Sequence, residues 1–394
     1  MQLLVFFNGD FNEGNAANAR LQAYGLGLKE EGIEAKFYIV KPTEFGGTGI
    51  NEAARGSVNG LSYRYLGGLS LRPERFLARG ASLVLAWWSA WGVLFSHKAS
   101  RAAVYCYGPK AGTHLPILLL ARLLGYRCTI ELTELHSLAV RGKHGIKPLL
   151  VVLNHALIEL SLPLLCHQLV VATERLRKWY RFRFPNLPIE VIPITFIPHR
   201  YHSLHLERTH QVGYLGSFGR KDGVPVLLEA FALVKKQWPA LKLLLIGYQS
   251  REFDLEAELN MAGLANDTSI RATGQVRAVD IPQLLASCDT LALPRIDWLY
   301  AHYGLPIKLA EYLATGRPVI SSDVSDIGRY LGHRRHILLV PPSNSQALAQ
   351  ALALRYANYQ EFDDMGKRGQ ERGAMCFGYK KAASCLSKAA FAVE

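Results

Sequence analysis

The chain has 394 residues, of which 49% are hydrophobic and 20% charged. That is enough for two domains of ordinary size and too apolar for a disordered protein. The net charge of +13 gathers in residues 1–195, with roughly 22 Lys and Arg against 13 Asp and Glu. No helix-turn-helix, zinc-finger or RNP pattern accompanies that charge, so nucleic acid is not expected as a partner. An anionic membrane is the alternative to a plainly solvated surface. Cys106, Cys128, Cys166, Cys288, Cys376 and Cys385 are scattered without a CxxC pair or a His/Cys metal spacing. A reduced, cytoplasmic protein with no metal site and no disulfide is the expectation.

The opening residues lack the basic n-region of a signal peptide, and Asp10 cuts their apolar run short. Gln2–Phe7 reads as a buried parallel strand, followed by a polar glycine loop to Asn15, a helix over 16–28 and a strand at Ala35–Val40. This is half of a Rossmann-like unit. It holds no GxGxxG, so NAD or FAD is not expected. Leu61–Tyr65 is a candidate strand entered through the turn pair Asn59-Gly60. Arg72, Arg75 and Arg79 lead into the Trp-rich stretch Ala81–Phe95. That stretch falls short of the ~20 residues a spanning helix needs and reads as buried or interfacial.

Ala102–Tyr107 and Arg127–Glu131 read as strands around a helix at 113–124, the alternation of a parallel sheet with helices on both faces. Glu131-Leu132-Thr133-Glu134-Leu135-His136 lies where such sheets place ligands, beyond a strand's carboxyl end. Glu134 and His136 suit proton transfer or the holding of hydroxyls, or equally a cap on the next helix. Residues 147–166 are apolar, but Asn154, His155, Glu159 and Pro163 favour a core or cleft helix. Gln168–Ala172, a helix capped by Thr173, and Ile189–Ile194 complete a first domain of residues 1–200, with Thr195–His210 as linker.

A second domain, 208–375, opens with Val212–Leu215 and the loop Gly216-Ser217-Phe218-Gly219-Arg220-Lys221-Asp222-Gly223, then a helix over Val224–Lys235. Glycines that let backbone approach, beside two cations, make a phosphate cradle; a hairpin-like loop with solvated charges is the alternative. Strands follow at Lys242–Gly247 and Ser269–Thr273, with a turn at Gly274-Gln275-Val276. A helix is expected over Asp280–Ala286 with Asp280 as its N-cap, then a strand at Thr290–Leu293. Beyond that strand, Arg295 and Asp297 could touch a bound ligand. In His302–Asp323, HYGLPIKLAEYLATGRPVISSD, Gly304 and Pro306 break the chain. Ile307, Leu309, Ala310, Leu313 and Ala314 then keep helical spacing until Gly316. A glycine-proline loop opening a helix suits a phosphate or diphosphate; by itself it is equally an amphipathic helix with Lys308 and Glu311 solvated.

The run G-L-P-I-K-L-A-E-Y-L-A-T-G-R-P-V resembles the donor-site signature of nucleotide-sugar glycosyltransferases of the GT-B fold, most of all glycosyltransferase family 4, or group 1. The loop at 216–223 looks like the first donor-domain motif of the same family. The resemblance implies an α/β protein of two Rossmann-like domains facing each other across a cleft, with a helix in 376–394 crossing back to the first. It implies a retaining, metal-independent transfer from a nucleoside-diphosphate sugar, a co-substrate with no further cofactor. The acceptor would be a saccharide or lipid-linked hydroxyl in cell-surface polysaccharide or glycolipid synthesis, with peripheral contact to an anionic membrane.

By the same resemblance Lys221 and Arg220 would meet the diphosphate with Gly216 and Ser217, and the backbone at Val276 would hold the base. Tyr303, Gly304, Leu305, Pro306, Ile307 and Lys308 would line the donor, and Glu311 would take the ribose hydroxyls. Gly14 and Asn15 would lie near donor and acceptor, and Glu134 and His136 near the transferred sugar. Two departures stand out: Ser217 replaces the usual arginine, and Tyr303 the first of two glutamates. A sugar epimerase of this fold and an inactive binding protein remain the alternatives.

Overall fold

A computed structural model describes residues 1–11, 16–43, 51, 53–197, 201, 209–218, 222–249 and 253–391. The chain forms two compact units, one of Met1–Thr195 with Tyr379–Glu394 and the other of Phe196–Gly378.

The first unit begins β1 (Gln2–Asn8), α1 (Ala16–Glu30), β2 (Glu34–Lys41), β3 (Arg55–Val58), β4 (Leu61–Tyr65), α2 (Phe76–His97) and β5 (Ala102–Tyr107). It continues α3 (Ala111–Leu123), β6 (Cys128–Leu132), α4 (His136–Ala139), α5 (Ile146–Leu165), β7 (Gln168–Val171), α6 (Glu174–Arg183) and β8 (Ile189–Val191). Among the described residues the sheet order is β3-β4-β2-β1-β5-β6-β7-β8. The strands pair in parallel except β3 with β4. The order reverses between β1 and β5, so the sheet's switch point lies at the carboxyl ends of these two strands. Leu3, Leu4, Val5, Phe6 and Phe7 are all buried, as expected of a central parallel strand covered on both faces. Thr173 caps α6 as expected, its Oγ1 accepting from Leu176 N at 3.1 Å.

Three features depart from the sequence reading. Asn59 and Gly60, at φ 53° and 73°, close a hairpin onto β3, a strand too short and polar to show in the pattern. α2 starts five residues before the apolar stretch. The third concerns α5, which is not a core helix: only His155, Ile158, Leu162 and Leu165 are buried along it. Its polar residues turn inward, with Asn154 Oδ1 accepting from Ala111 N at 2.8 Å and Glu159 Oε1 from Trp179 Nε1 at 3.3 Å. Leu149, Leu153, Leu160 and Leu164 stand exposed.

The second unit comprises β9 (Gln211–Leu215), α7 (Val224–Lys235), β10 (Lys242–Ile246), α8 (Leu255–Met261), β11 (Ile270–Ala272), α9 (Ile281–Ala286) and β12 (Thr290–Leu293). Then come α10 (Lys308–Ala314), β13 (Val319–Ser322), α11 (Ile327–Tyr330), β14 (Leu338–Val340), α12 (Ser345–Ala357) and α13 (Tyr359–Phe377). Its described strands run β11-β10-β9-β12-β13-β14, all parallel, the doubly wound order with its switch point between β9 and β12. Val212, Leu243, Leu245, Ala292 and Ile320 form the core with Leu227, Phe231 and Leu352 from α7 and α12. Asp280 does not cap α9; its carboxylate takes Arg277 Nε and Nη2 at 2.8 and 3.0 Å.

α14 (Tyr379–Phe391) belongs to the first unit and packs on α1, where a side chain at Gly27 would collide with Ala383 and the Tyr379 carbonyl. Glu30 fixes it further, accepting from Tyr379 Oη at 2.6 Å and pairing with Lys380 at 2.9 Å.

Candidate functional site

In the second unit the chemistry collects at the switch point. Gly216 follows β9 at φ 143°, a conformation open to glycine, and a Cβ there would overlap the Lys308 ammonium. Gly223, at φ 77°, begins α7 against the end of β12, where a Cβ would overlap the Pro294 carbonyl. These two glycines let the first turn of α10, the loop after β9 and the end of β12 converge.

Lys308 Nζ donates to Tyr214 Oη at 3.0 Å and lies 3.6 Å from Asp222 Oδ1. Tyr214 in turn donates to the Ser217 carbonyl at 3.0 Å, and Ser217 Oγ donates to Asp222 Oδ2 at 3.2 Å. Burial first, and then the Asp222 carboxylate, push the Tyr214 phenol well above its ordinary pKa, while the nearby Arg295 guanidinium pulls it down. The phenol therefore stays protonated and serves as a fixed donor. Tyr312 of α10 anchors the same strand end, its Oη accepting from Leu215 N at 2.7 Å. Arg295 Nε is buried without a hydrogen-bond partner among the described residues. The result is a half-buried cluster of two cations steadied by one carboxylate, a setting in which an anion is attracted strongly.

Of the expected donor residues, Gly216, Ser217 and Lys308 are brought together here. Glu311 lies one turn along α10 from Lys308, half-buried. Gly304 and Leu305 are buried in the loop before α10; Tyr303, Pro306 and Ile307 are half-buried beside them. Val276 lies past β11, in a turn held to the end of β10 by Thr273 Oγ1, which accepts from Gly247 N at 3.1 Å and donates to the Gly274 carbonyl at 2.8 Å. Asp297 pairs with His302 Nε2 at 2.7 Å. Arg220 and Lys221, with Gly14 and Asn15, lie outside the described residues. Tyr214, Asp222 and Tyr312 escaped the sequence reading: both tyrosines sit in apolar runs and pass for core, while Asp222, the one acid of the glycine loop, was legible in principle.

In the first unit Glu134 and His136 lie at the carboxyl end of β6, 3.8 Å apart, the first half-buried and the second exposed. Glu131 is a different case. It is completely buried, pairs with Arg20 Nε at 2.6 Å and accepts from Tyr24 and Tyr105. Arg20 also donates to the Ile192 and Pro193 carbonyls. Among the described residues Arg20, Tyr24 and Tyr105 satisfy Glu131, which makes this carboxylate a structural one.

Residues 209–358 match the model of glycosyl transferases group 1. The amylovoran biosynthesis glycosyltransferase AmsK of Erwinia amylovora is 30% identical over 174 residues, 42% of each chain. The phosphatidyl-myo-inositol mannosyltransferase of Mycobacterium leprae is 31% identical over 146 residues, 37% of each. The matched segment thus spans about two fifths of these curated relatives. Two solved structures superpose over 98% of both chains: sucrose-phosphate synthase of Thermosynechococcus elongatus, with TM-score 0.73 and 16% identity, and Anabaena HepE in complex with UDP-glucose, with TM-score 0.67 and 14% identity. The chain has the GT-B fold, and its residues 209–358 are similar to the glycosyl transferases of group 1.

Proposed function

We propose that this protein is a glycosyltransferase that moves a sugar from a nucleoside-diphosphate sugar to an acceptor hydroxyl in the synthesis of a surface polysaccharide or glycolipid. The observation that carries this reading is the Lys308–Tyr214–Asp222 cluster over Gly216, at the switch point of a sheet that lies within the family-matched segment. As the bond from the anomeric carbon to the diphosphate breaks, negative charge grows on the departing diphosphate. Lys308 and Arg295 would stabilise that charge, together with Lys221 and Arg220 from the loop after β9. Arg295 would take the place of the arginine that Ser217 lacks. Glu311 would accept the ribose hydroxyls. With these cations carrying the leaving group the transfer would need no metal. Attack from the face of departure would retain configuration, and the acceptor's proton would pass to the leaving diphosphate oxygen. The names of relatives, an amylovoran biosynthesis glycosyltransferase and a phosphatidyl-myo-inositol mannosyltransferase, support the acceptor class.

The first unit would meet its acceptor at an anionic membrane, from the cytoplasmic side. Supporting this is α5, which turns Asn154, His155 and Glu159 inward and leaves Leu160 and Leu164 each 73% exposed. On α2, Leu85 and Trp88 are exposed too. Basic residues such as Lys98, Lys143 and Lys147 lie close in sequence to these faces.

Thermal stabilisation by a panel of nucleoside diphosphates and their sugars, in a chelator and with Glu311→Ala alongside, tests the donor site. A ligand at a hundred times its Kd adds about 2.7 kcal/mol. A shift with one base that the variant loses is expected; no shift with any nucleotide removes the proposal. The anomeric configuration of the product, read by NMR, tests retention.

A further inference from the structure

At the carboxyl end of β2 in the first unit, a cavity of about 330 Å³ opens beside the start of α2. Lys41, Arg72 and Arg79 line it, with Pro42, Phe76 and Leu83, and no carboxylate is among its described lining residues. Lys41 ends β2 next to β1, the edge of a parallel sheet where ligands bind. Partial burial lowers the Lys41 ammonium from its ordinary pKa, and the charges of Arg72, Lys110 and Arg79 lower it further. Arg79 spends its hydrogen bonds on the Pro73 and Glu74 carbonyls, which fix its position without neutralising it. Three cationic side chains thus converge on one pocket, a setting that favours an anion. Phe76, which lines the cavity, is 84% exposed, and its chain neighbour Leu77 is 83% exposed, apolar surface beside the charge.

We propose that this cavity binds the phosphate or diphosphate head of an amphiphile whose hydrocarbon chain lies over Phe76 and Leu77. As an anion site it stands on the geometry alone; as the seat of a lipid-linked acceptor it rests on the transferase reading. The three cations meet the head, and the apolar surface distinguishes a lipid phosphate from a free one. Lys98, at the far end of the same helix, lies outside the cavity.

Calorimetric titration with geranyl diphosphate, inorganic diphosphate and geraniol tests this on the wild type and on Lys41→Gln, Arg72→Gln and Lys98→Gln. Geranyl diphosphate should bind well and both other probes at least roughly tenfold more weakly. Lys41→Gln and Arg72→Gln should each cost about tenfold, the size of one charge-assisted contact, and Lys98→Gln under about twofold. Equal affinity for inorganic diphosphate overturns the amphiphile in favour of a soluble anion. Binding undisturbed by the two cavity variants overturns the site altogether. Lys308→Gln separates the two proposals: it should weaken nucleoside diphosphate binding by about tenfold or more and leave geranyl diphosphate untouched. A protein that binds nucleotide but not geranyl diphosphate keeps its proposed function and loses this site, and the reverse result does the opposite.

Discussion

The two units share a parallel sheet whose order reverses beside its first strand, and they treat charge in opposite ways. In the first, Arg20 and Glu131 are almost wholly withdrawn from solvent, and two tyrosines and two backbone carbonyls complete their shell. In the second, Lys308 and Asp222 remain 19% and 13% exposed, beside glycines that let the lysine and the end of the neighbouring strand approach. A buried pair with every bond taken can only hold the fold together. A half-buried cation that still reaches solvent can meet a ligand. Carboxylates at the carboxyl ends of strands are therefore not equivalent as site candidates, and burial separates them.

The largest effect should come from breaking the closed pair. Arg20→Ala leaves the Glu131 carboxylate buried without its partner and should cost about 3–5 kcal/mol in urea denaturation. If the loss stays under 1 kcal/mol, Glu131 has a solvent path that the packing denies. Next in size is the open cluster. Lys308→Met should lower turnover by about 10²–10³-fold, or 2.7–4 kcal/mol in the transition state, with far less change in stability. Equal loss of folding and turnover would make Lys308 a structural residue like Arg20 and erase the contrast.

The contrast was only half legible in the sequence. Parallel strands such as Leu3–Phe7 announce themselves as apolar runs, and Asn59-Gly60 announces its turn. Lys308 and Glu311 stood out because a charge in an apolar helix is conspicuous. Tyr214 did not, because a phenol inside the strand QVGYL looks like core, and the ammonium it meets comes 94 residues later. The orientation of α5 was hidden for a related reason. Its composition is the same whichever face packs, and only the partners of Asn154 and Glu159 decide that the polar side turns inward.

Acid should expose a further difference between open and closed groups. His114 on α3 is completely buried, with Nδ1 accepting from Lys110 N at 3.1 Å. Burial lowers its pKa to about 4, and the Lys110 charge adds to this. The unfolded chain takes up the proton near 6.5 and the folded one does not, so stability is complete above that pH. It should fall by up to about 3 kcal/mol as the pH drops from 6.5 to 4, then level off. In His114→Gln that part of the slope should vanish, as seen by comparing urea midpoints at pH 7 and pH 5. Identical slopes would mean the imidazole is protonated in the fold.

The smallest effect on stability should come from the outward face of α5, and there a null result on folding is the informative one. Leu160 and Leu164 bury little, so Leu160→Ser with Leu164→Ser should change stability by no more than about 0.5 kcal/mol. Nucleoside diphosphate affinity should stay the same, since neither residue belongs to the second unit. Pelleting with anionic vesicles should drop sharply, because each leucine contributes about 1.5–3 kcal/mol when fully buried. A stability loss of several kcal/mol would show that these leucines are already covered in solution, by a second copy of the chain or another partner. Unchanged pelleting with unchanged stability would leave the basic surface to hold the membrane unaided. A helix that packs its polar residues and exposes its leucines offers an apolar face, and the pelleting of the double variant decides whether a membrane is what covers it.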